Sequence, residues 1–292
     1  MRIRATVAAV TGALALSAFV VPAAQAAGSA SHADVAKAWG VTASPSGKSA
    51  FSATTATAVA APNVTFSNMK VNKSKAIVVG ATATVSVPVT YTLTHPASLD
   101  VTSDNFASGP LIYVGTTVTS ATNTFISDDP GTCTDASTTV ANCTAVLKVS
   151  PADLLNSEAG TWKEGGLAVT SAGGTKWQGD LGTTKVQRLS KLTVNAAPEP
   201  VKKGRTITVT GALTRADWHT GKYTGYVGQP VKLQFKKKGA SAYTTVKTIK
   251  TTTGGALKTT VTASVDGTFR YSFAGTTTTP AVSATGDYVD VQ

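Results

Sequence analysis

Apolar and polar residues alternate along much of this chain, and the longest alternating stretch runs from Ala83 to His95. A period of two is typical of an antiparallel β-strand with one face in a hydrophobic core. Pro88 interrupts the stretch. Because proline has no N–H to donate to a β-ladder, we expect Pro88 at a sheet edge or in a β-bulge.

Shorter runs follow, separated by Gly, Pro and Asp residues that favour turns. Before residue 195 the predicted strands cover residues 64–69, 83–95, 111–114, 123–126, 143–149, 166–170 and 185–194. Turns are predicted at 108–110, 128–131 and 172–174, and one helical turn at 151–156. Many short strands with this punctuation predict an antiparallel β-sandwich.

The last third of the chain repeats the pattern after the proline-containing segment 196–200, which we predict to be a linker. Its predicted strands cover residues 206–211, 230–236, 243–250, 255–265, 268–273 and 286–291. Val231, Leu233 and Phe235 fall on one face of their strand. Asp266-Gly267 predicts a hairpin turn. A second sandwich of about seven strands is expected.

This last third resembles a known module. The motifs are Glu199-Pro-Val-Lys-Lys-Gly-Arg-Thr-Ile-Thr-Val-Thr-Gly211, Pro230-Val-Lys-Leu-Gln-Phe-Lys-Lys237, Tyr243-Thr-Thr-Val-Lys-Thr248 and Gly286-Asp-Tyr-Val-Asp290. They are similar to an immunoglobulin-like module of secreted actinobacterial proteins, over about residues 195–292. The resemblance implies a fold and no assigned activity, and it transfers no site residue. The expected fold class is all-β, with two immunoglobulin-like antiparallel β-sandwich domains.

The amino terminus has the order of a secretory signal peptide. Arg2 and Arg4 precede an apolar run, and Ala24-Gln25-Ala26 places small residues before a cleavage site at Ala27. A permanent membrane anchor is the alternative, but Thr and Ser interrupt the run and it is short. No later segment approaches ~18 apolar residues. We expect a secreted, extracellular chain with no transmembrane segment.

The predicted organisation therefore has four parts. A signal peptide covers 1–26, and a flexible leader rich in Ala, Ser and Thr covers 27–62, because it has too few large apolar residues to form a core. A sandwich domain covers 63–194, and a basic immunoglobulin-like domain covers 195–292.

The two cysteines, Cys133 and Cys143, are expected to form a disulfide, because exported proteins fold in an oxidising compartment. A metal or redox pair is the alternative. It would need further Cys or His ligands at suitable spacing, or a Cys-x-x-Cys motif, and the sequence has neither.

The net charge of +11 is concentrated near the carboxyl terminus. Residues 196–292 contain 13 Lys and Arg against 5 Asp and Glu. Such a segment favours an anionic partner such as a cell-wall polymer, although a solvated surface that maintains solubility is the alternative. Lys236, Lys237 and Lys238 are candidates for the contact. No nucleic-acid-binding fold pattern is present, so no specific nucleic acid is expected.

Catalysis is not indicated. The three histidines are His32, His95 and His219, and no His-Glu-x-x-His or Gly-x-Ser-x-Gly motif occurs. A triad can assemble from distant residues, so an extracellular hydrolase stays open as a distant alternative. The expectation is a chain without enzymatic activity.

No cofactor is expected, with calcium as the one alternative. Asp128, Asp129 and Asp135, with Asp104, could bring carboxylates together from neighbouring loops, and a second candidate pair is Asp287 and Asp290. No Asp-x-Asp-x-Asp-Gly loop supports either group, and Asp before Pro or Gly is an ordinary turn former.

The aromatic residues give the other candidate site. Trp218, Tyr223 and Tyr226 lie in one predicted loop beside Arg215 and Lys222, and could stack against a sugar. Burial in the domain's own core is the alternative. The leading hypothesis is a secreted, non-catalytic binding or structural protein that attaches to the cell surface or to anionic wall polymer. The alternative is a carbohydrate-binding module.

Overall fold

The structure of the protein, a computed structural model, describes residues 59–292. The predicted signal peptide and leader residues 27–58 lie outside the described residues. The strands are β1 Thr65–Val71, β2 Ile77–Val79, β3 Val85–Thr94, β4 Phe106–Val114, β5 Asn123–Ile126, β6 Thr132–Ser137, β7 Val140–Val149, β8 Gly160–Thr170, β9 Thr175–Arg188, β10 Ser190–Leu192, β11 Asn195–Ala197, β12 Thr206–Asp217, β13 Lys222–Gly225, β14 Pro230–Lys237, β15 Thr244–Lys250, β16 Ala256–Thr262, β17 Gly267–Phe273, β18 Val282–Ser283 and β19 Asp287–Val289.

Helical structure within residues 59–292 is confined to short 3-10 turns. These are Asn72–Ser74, Val118–Ser120, Pro151–Asp153, Asn156–Glu158 and Thr253–Gly255. The predicted helical turn at 151–156 is confirmed. No helix in the described part of the chain is long and apolar enough to cross a membrane.

The described chain divides into two compact units. Unit 1 comprises residues 59–73, 87–148 and 163–183, and unit 2 comprises 74–86, 149–162 and 184–292. That segments 63–194 and 195–292 fold independently stays a prediction.

Unit 1 is a sandwich of two sheets, in the orders β1-β3-β7-β6 and β9-β8-β4-β5. Its eight strands can be lettered A, B, C, C′, D, E, F and G along the chain, from β1 through β3 to β9. The sheets then read ABED and C′CFG, which is the strand order of an immunoglobulin-like fold. The predicted all-β sandwich is confirmed.

The inner faces of these two sheets form the core of unit 1. In β3, Val87, Val89, Tyr91 and Leu93 are buried and alternate with exposed or half-buried residues, as the period of two predicts. Phe66 of β1 lies against Gly166 of β8, where a Cβ would come within 2.5 Å of the ring. Glycine is therefore needed at this close approach between the sheets.

Unit 2 has the same strand plan with fewer strands. β10 and β11 pair in one continuous register with one edge of β12, while β13 and β16 pair with its other edge. The second sheet has the order β15-β14-β17-β18, and β19 continues the β18 edge. With β10–β11 as strand A, the sheets read ABE and C′CFG, so unit 2 is also immunoglobulin-like. β2 adds to this unit by parallel pairing with residues 186–188 of β9.

Several local predictions were wrong. Pro88 is in a central strand, because β3 lies between β1 and β7. It directly precedes Val89, whose pair with Val71 is the last of the β1–β3 ladder. Its missing N–H is tolerated where the β1 ladder has ended. The predicted turn at 108–110 lies inside β4, where Pro110 pairs with Gly166. Pro110 is tolerated there because the β5 ladder begins only at Leu111.

Two predicted connections in unit 2 also differ from the structure. The predicted linker begins inside β11, where Ala196 pairs with Val209 and is 1% exposed. Asp266-Gly267 does not close a hairpin, because β16 pairs with β12 whereas β17 pairs with β14 in the other sheet. Asp266 accepts hydrogen bonds from Val291 N (2.9 Å) and from Lys238 Nζ (3.2 Å), so it fixes a crossover between sheets.

Candidate functional site

The outer face of the C′CFG sheet of unit 2 carries a group of positive charges. In β14, Val231 and Leu233 are buried, whereas Lys232 is exposed and Lys236 is half-buried on the opposite face, as the alternation predicts. In β17, Phe269 and Tyr271 point inward, which places Arg270 outward beside Gln234.

Tyr243 provides an aromatic platform for these charges. The Arg270 guanidinium carbon lies 3.7 Å from the centre of the Tyr243 ring, and Lys236 Nζ lies 5.1 Å from it. Arg270 Nε also donates a hydrogen bond to Gln234 Oε1 at 2.9 Å. These contacts hold the cations in defined positions. We call Lys232, Lys236, Arg270 and Tyr243 the basic sheet face.

Acidic residues are sparse around the basic sheet face. Strands β14, β15 and β17 contain no Asp or Glu, and Asp287 of the neighbouring β19 lies opposite the inward Phe269 and accepts a hydrogen bond from Ala196 N. In the neighbouring turn, Asp266 is engaged by Lys238. Unit 2 as a whole contains 17 Lys and Arg against 7 Asp and Glu, a net charge of +10. The field over this sheet is therefore strongly positive.

The three consecutive lysines do not act as one cluster. Lys236 belongs to the basic sheet face, Lys237 is exposed at the end of β14, and Lys238 forms the ion pair with Asp266 at 3.2 Å. Alternation in β14 sends Lys236 and Lys237 to opposite faces, and Lys238 lies beyond the end of β14, where it pairs with Asp266.

The predicted sugar-stacking role of Trp218 is wrong in this structure. Trp218 is 4% exposed, its backbone N–H donates to Asn156 Oδ1 at 3.0 Å, and its indole N–H lies 3.4 Å from the Val79 carbonyl oxygen. The core alternative is correct, because a buried indole has no face to offer a ligand.

The two tyrosines of the predicted loop are half-buried, and each has a ring face covered by a cation. Lys191 Nζ lies 3.7 Å from the centre of the Tyr223 ring, and the Arg215 guanidinium carbon lies 3.8 Å from that of Tyr226. Tyr226 also packs edge-on against Phe273. Lys222 is exposed in β13, a strand that the sequence analysis missed.

A second group of charges lies near Tyr226. Arg188 is 6% exposed, and its Nε donates to the Ala216 carbonyl oxygen. Burial lowers the pKa of Arg188, and the positive charge of Arg215 lowers it further. Arg188, Arg270 and Tyr243 were not among the residues predicted from the sequence. Only Arg270 had a usable signal, its alternation with buried aromatic residues.

The carboxylates proposed for calcium do not come together. Asp128 pairs with Lys148 at 3.2 Å, and Asp287 accepts a hydrogen bond from Ala196 N at 2.6 Å. Within residues 59–292 no group of three or more His, Cys, Asp or Glu side chains is arranged to hold a metal ion. Calcium binding by Asp128, Asp129 and Asp135 stays a prediction without a geometric site.

The predicted disulfide is confirmed. Cys133 in β6 lies directly opposite Cys143 in β7, and the two are bonded. Cys143 is 1% exposed in the core of unit 1.

The two histidines in the described residues are far from any recognisable catalytic arrangement. His95 is buried with Nδ1 3.2 Å from the Pro96 carbonyl oxygen, and His219 is exposed. Within residues 59–292 neither imidazole has a hydrogen bond to a carboxylate or a serine hydroxyl. A catalytic triad would need such bonds.

Comparison with known proteins gives only remote structural similarity. No family model and no curated protein sequence matches the chain. Solved structures similar to it include the D00-D0 domain of intimin (15% identity, 76% of this chain and 98% of that chain, TM-score 0.24). Another is the mouse nectin-like molecule 4 ectodomain (14% identity, 80% of this chain and 65% of that chain, TM-score 0.24). A third is the Escherichia coli adhesin FdeC (20% identity, 79% of this chain and 65% of that chain, TM-score 0.24). The chain spans just under two thirds of the length of the last two.

Proposed function

We propose that this chain is a non-catalytic binding or structural protein that is secreted and attaches to an anionic cell-wall polymer through the basic sheet face. The observation that carries the proposal is the arrangement of Lys232, Lys236 and Arg270 on one outward face, organised by Tyr243, on strands without acidic residues. The disulfide supports an oxidising, extracellular compartment.

A repeating polyanion suits this surface. Outward positions two residues apart in a strand are about 6.7 Å apart, and neighbouring strands are about 4.8 Å apart. Lys232, Lys236 and Arg270 therefore present several cations within reach of one chain of phosphate groups. Exposed contacts of this kind act together and are screened by salt.

The competing carbohydrate-binding hypothesis loses support. Trp218 is buried, and cations cover one ring face of both Tyr223 and Tyr226. Stacking on a neutral sugar requires an accessible ring face.

The test is a pull-down on purified cell walls that carry phosphate polymer, with the chain lacking residues 1–26, at low salt and at about 0.5 M salt. We expect binding at low salt that is lost at high salt. The combined variant Lys232→Gln, Lys236→Gln, Arg270→Gln should bind about tenfold more weakly or worse.

A matched control separates the face from the overall charge. The variant Lys202→Gln, Lys203→Gln, Lys258→Gln also removes three positive charges, but from exposed positions elsewhere in unit 2. It should weaken binding only a few-fold. Equal losses in the two variants would show that net charge acts and not the basic sheet face. No binding at low salt would reject the proposal altogether.

A further inference from the structure

Unit 2 buries a guanidinium that no carboxylate of the described residues contacts directly. Arg188 is 6% exposed, its Nε donates to the Ala216 carbonyl oxygen at 2.6 Å, and its backbone N–H donates to the Thr278 carbonyl oxygen at 2.9 Å. Burying a charge without an opposite charge is unfavourable unless other groups compensate for it.

A second guanidinium lies near the first. Arg215 stacks on the Tyr226 ring at 3.8 Å, and its Nη1 lies 3.4 Å from Thr279 Oγ1. That distance is longer than the usual 2.7–3.2 Å for N–H···O bonds, so this donor is weakly used. Arg215 is half-buried, so solvent reaches the group.

The nearby carboxylate of Asp217 attracts the charge of Arg188, but its hydrogen bonds go to other groups. Asp217 Oδ1 accepts hydrogen bonds from Asn156 Nδ2 (2.9 Å), His219 N (3.0 Å) and Thr220 N (3.2 Å). Within residues 59–292, no carboxylate oxygen lies within 4.0 Å of either guanidinium, since all salt bridges there involve lysine. The two guanidinium groups repel each other, and the single negative charge of Asp217 leaves an excess of positive charge in this region.

Hydroxyl groups complete the surroundings. Burial raises the pKa of Tyr226, but the Thr276 hydroxyl, the Arg215 charge and the hydroxyls of Thr279 and Thr278 together lower it below its ordinary value. These threonines belong to the loop after β17. Gln187 fixes this loop, because its Nε2 donates to the carbonyl oxygens of Thr276 (3.0 Å) and Thr277 (3.2 Å). We call Arg188, Arg215, Tyr226 and the threonines at 276, 278 and 279 the arginine cluster.

We propose that the arginine cluster binds a tetrahedral oxyanion, a phosphate or sulfate group, with the two guanidinium groups and the threonine hydroxyls as donors. Planar guanidinium forks and hydroxyls are the donor set that such anions prefer. An anion there would relieve the repulsion between the two arginines. This site is separate from the basic sheet face. Its residues come from β9, β12, the segment directly after β13 and the loop after β17, and none of them belongs to the basic sheet face.

The test is direct binding of inorganic phosphate and of sulfate to the whole chain by isothermal titration, with sodium chloride at equal ionic strength as reference. We expect saturable binding and a rise in the thermal midpoint that chloride does not give. Arg215→Gln should weaken binding about tenfold or more, since a hydrogen bond to a charged group is lost. Lys222→Gln, in adjacent β13, should bind as the natural chain does.

Arg215→Lys guards against a variant that fails to fold. It keeps the charge but not the fork, so it should fold and bind more weakly than the natural chain. Equal response to sulfate and chloride, or unchanged binding in Arg215→Lys together with Arg215→Gln, would overturn the proposal. The guanidinium groups would then only hold the strand end and the loop.

A further titration identifies the source of the bound phosphate group. Glycerol phosphate that binds more tightly than inorganic phosphate would indicate a phosphoryl group of a polymer, and the reverse order would indicate a free anion. The variant lacking Lys232, Lys236 and Arg270 should keep this small-anion binding. Loss of wall binding without loss of anion binding would therefore separate the two sites.

Discussion

The two units use strand C of the same fold in opposite ways. In unit 1, strand C is β4, and its outward residues Ala107, Leu111 and Tyr113 form an apolar cluster covered by Val118 and Trp177. In unit 2, strand C is β14, and its outward residues are lysines and a glutamine that remain accessible.

The charges follow the same division. The described residues of unit 1 contain 5 Lys and Arg against 7 Asp and Glu, a net charge of −2, whereas unit 2 has a net charge of +10. Both units have the C′CFG sheet, so the strand order does not determine what the sheet can bind. The outward positions of strands C and F determine it, and a fold shared by two domains predicts no shared function.

Removing the disulfide should give the largest difference in stability between the two units, because unit 1 has this cross-link and unit 2 has no cysteine. Cys133→Ser with Cys143→Ser should lower the free energy of unfolding by about 2–3 kcal/mol, as expected for a short closed loop. Chemical denaturation measures the loss, and reductant should have the same effect on the natural chain. Weaker cell-wall binding by this variant would contradict the assignment of binding to unit 2.

Each unit also buries one tyrosine hydroxyl between its sheets, which allows a matched test. Tyr91 in unit 1 bonds to Ser108 Oγ at 2.9 Å, and Tyr271 in unit 2 donates to the Val209 carbonyl oxygen at 2.9 Å. Burial raises the pKa of each to about 12. The stability that depends on the neutral hydroxyls is complete below pH 10 and is lost as the pH rises towards 12.

We expect each tyrosine to account for a loss on the order of 2 kcal/mol by pH 12. Tyr91→Phe and Tyr271→Phe should each reduce the slope of stability against pH in this window, and each should cost about 1 kcal/mol at pH 7. Urea denaturation at a series of pH values measures both. A slope unchanged in either variant would show that its tyrosine is not protected from ionisation.

The strands were predictable from the sequence where one face is buried and the other is exposed. β3, β14 and β17 followed the period of two closely. β4 did not, because it is buried along both faces and its Gly109-Pro110 pair resembles a turn. β6 and β13 were missed because they have few buried residues and no apolar alternation.

The basic sheet face was only partly predictable, for a related reason. Alternation assigns Lys232 and Lys236 to one face of β14, but it does not say which strand lies beside them. Arg270 lies 34 positions after Lys236 in the chain, and only the pairing of β14 with β17 brings it opposite Gln234. The burial of Arg188 could not be predicted from the sequence, because it depends on contacts with the loop after β17.

The smallest effect concerns the buried acid of unit 1. Glu164 in β8 is 6% exposed, and burial raises its pKa above the usual range for a carboxyl group. The protonated form therefore stabilises the fold below the ordinary pKa, and this stability is lost as the pH rises through the raised value. Glu164→Gln should gain stability on the order of 1 kcal/mol at pH 7 and nothing near pH 4.

Glu199→Gln, at an exposed position in unit 2, is the matched control and should leave the stability unchanged at either pH. Thermal unfolding at both pH values decides the matter, and an equal gain at pH 4 would mean that repacking, and not relief of a buried charge, stabilises the variant.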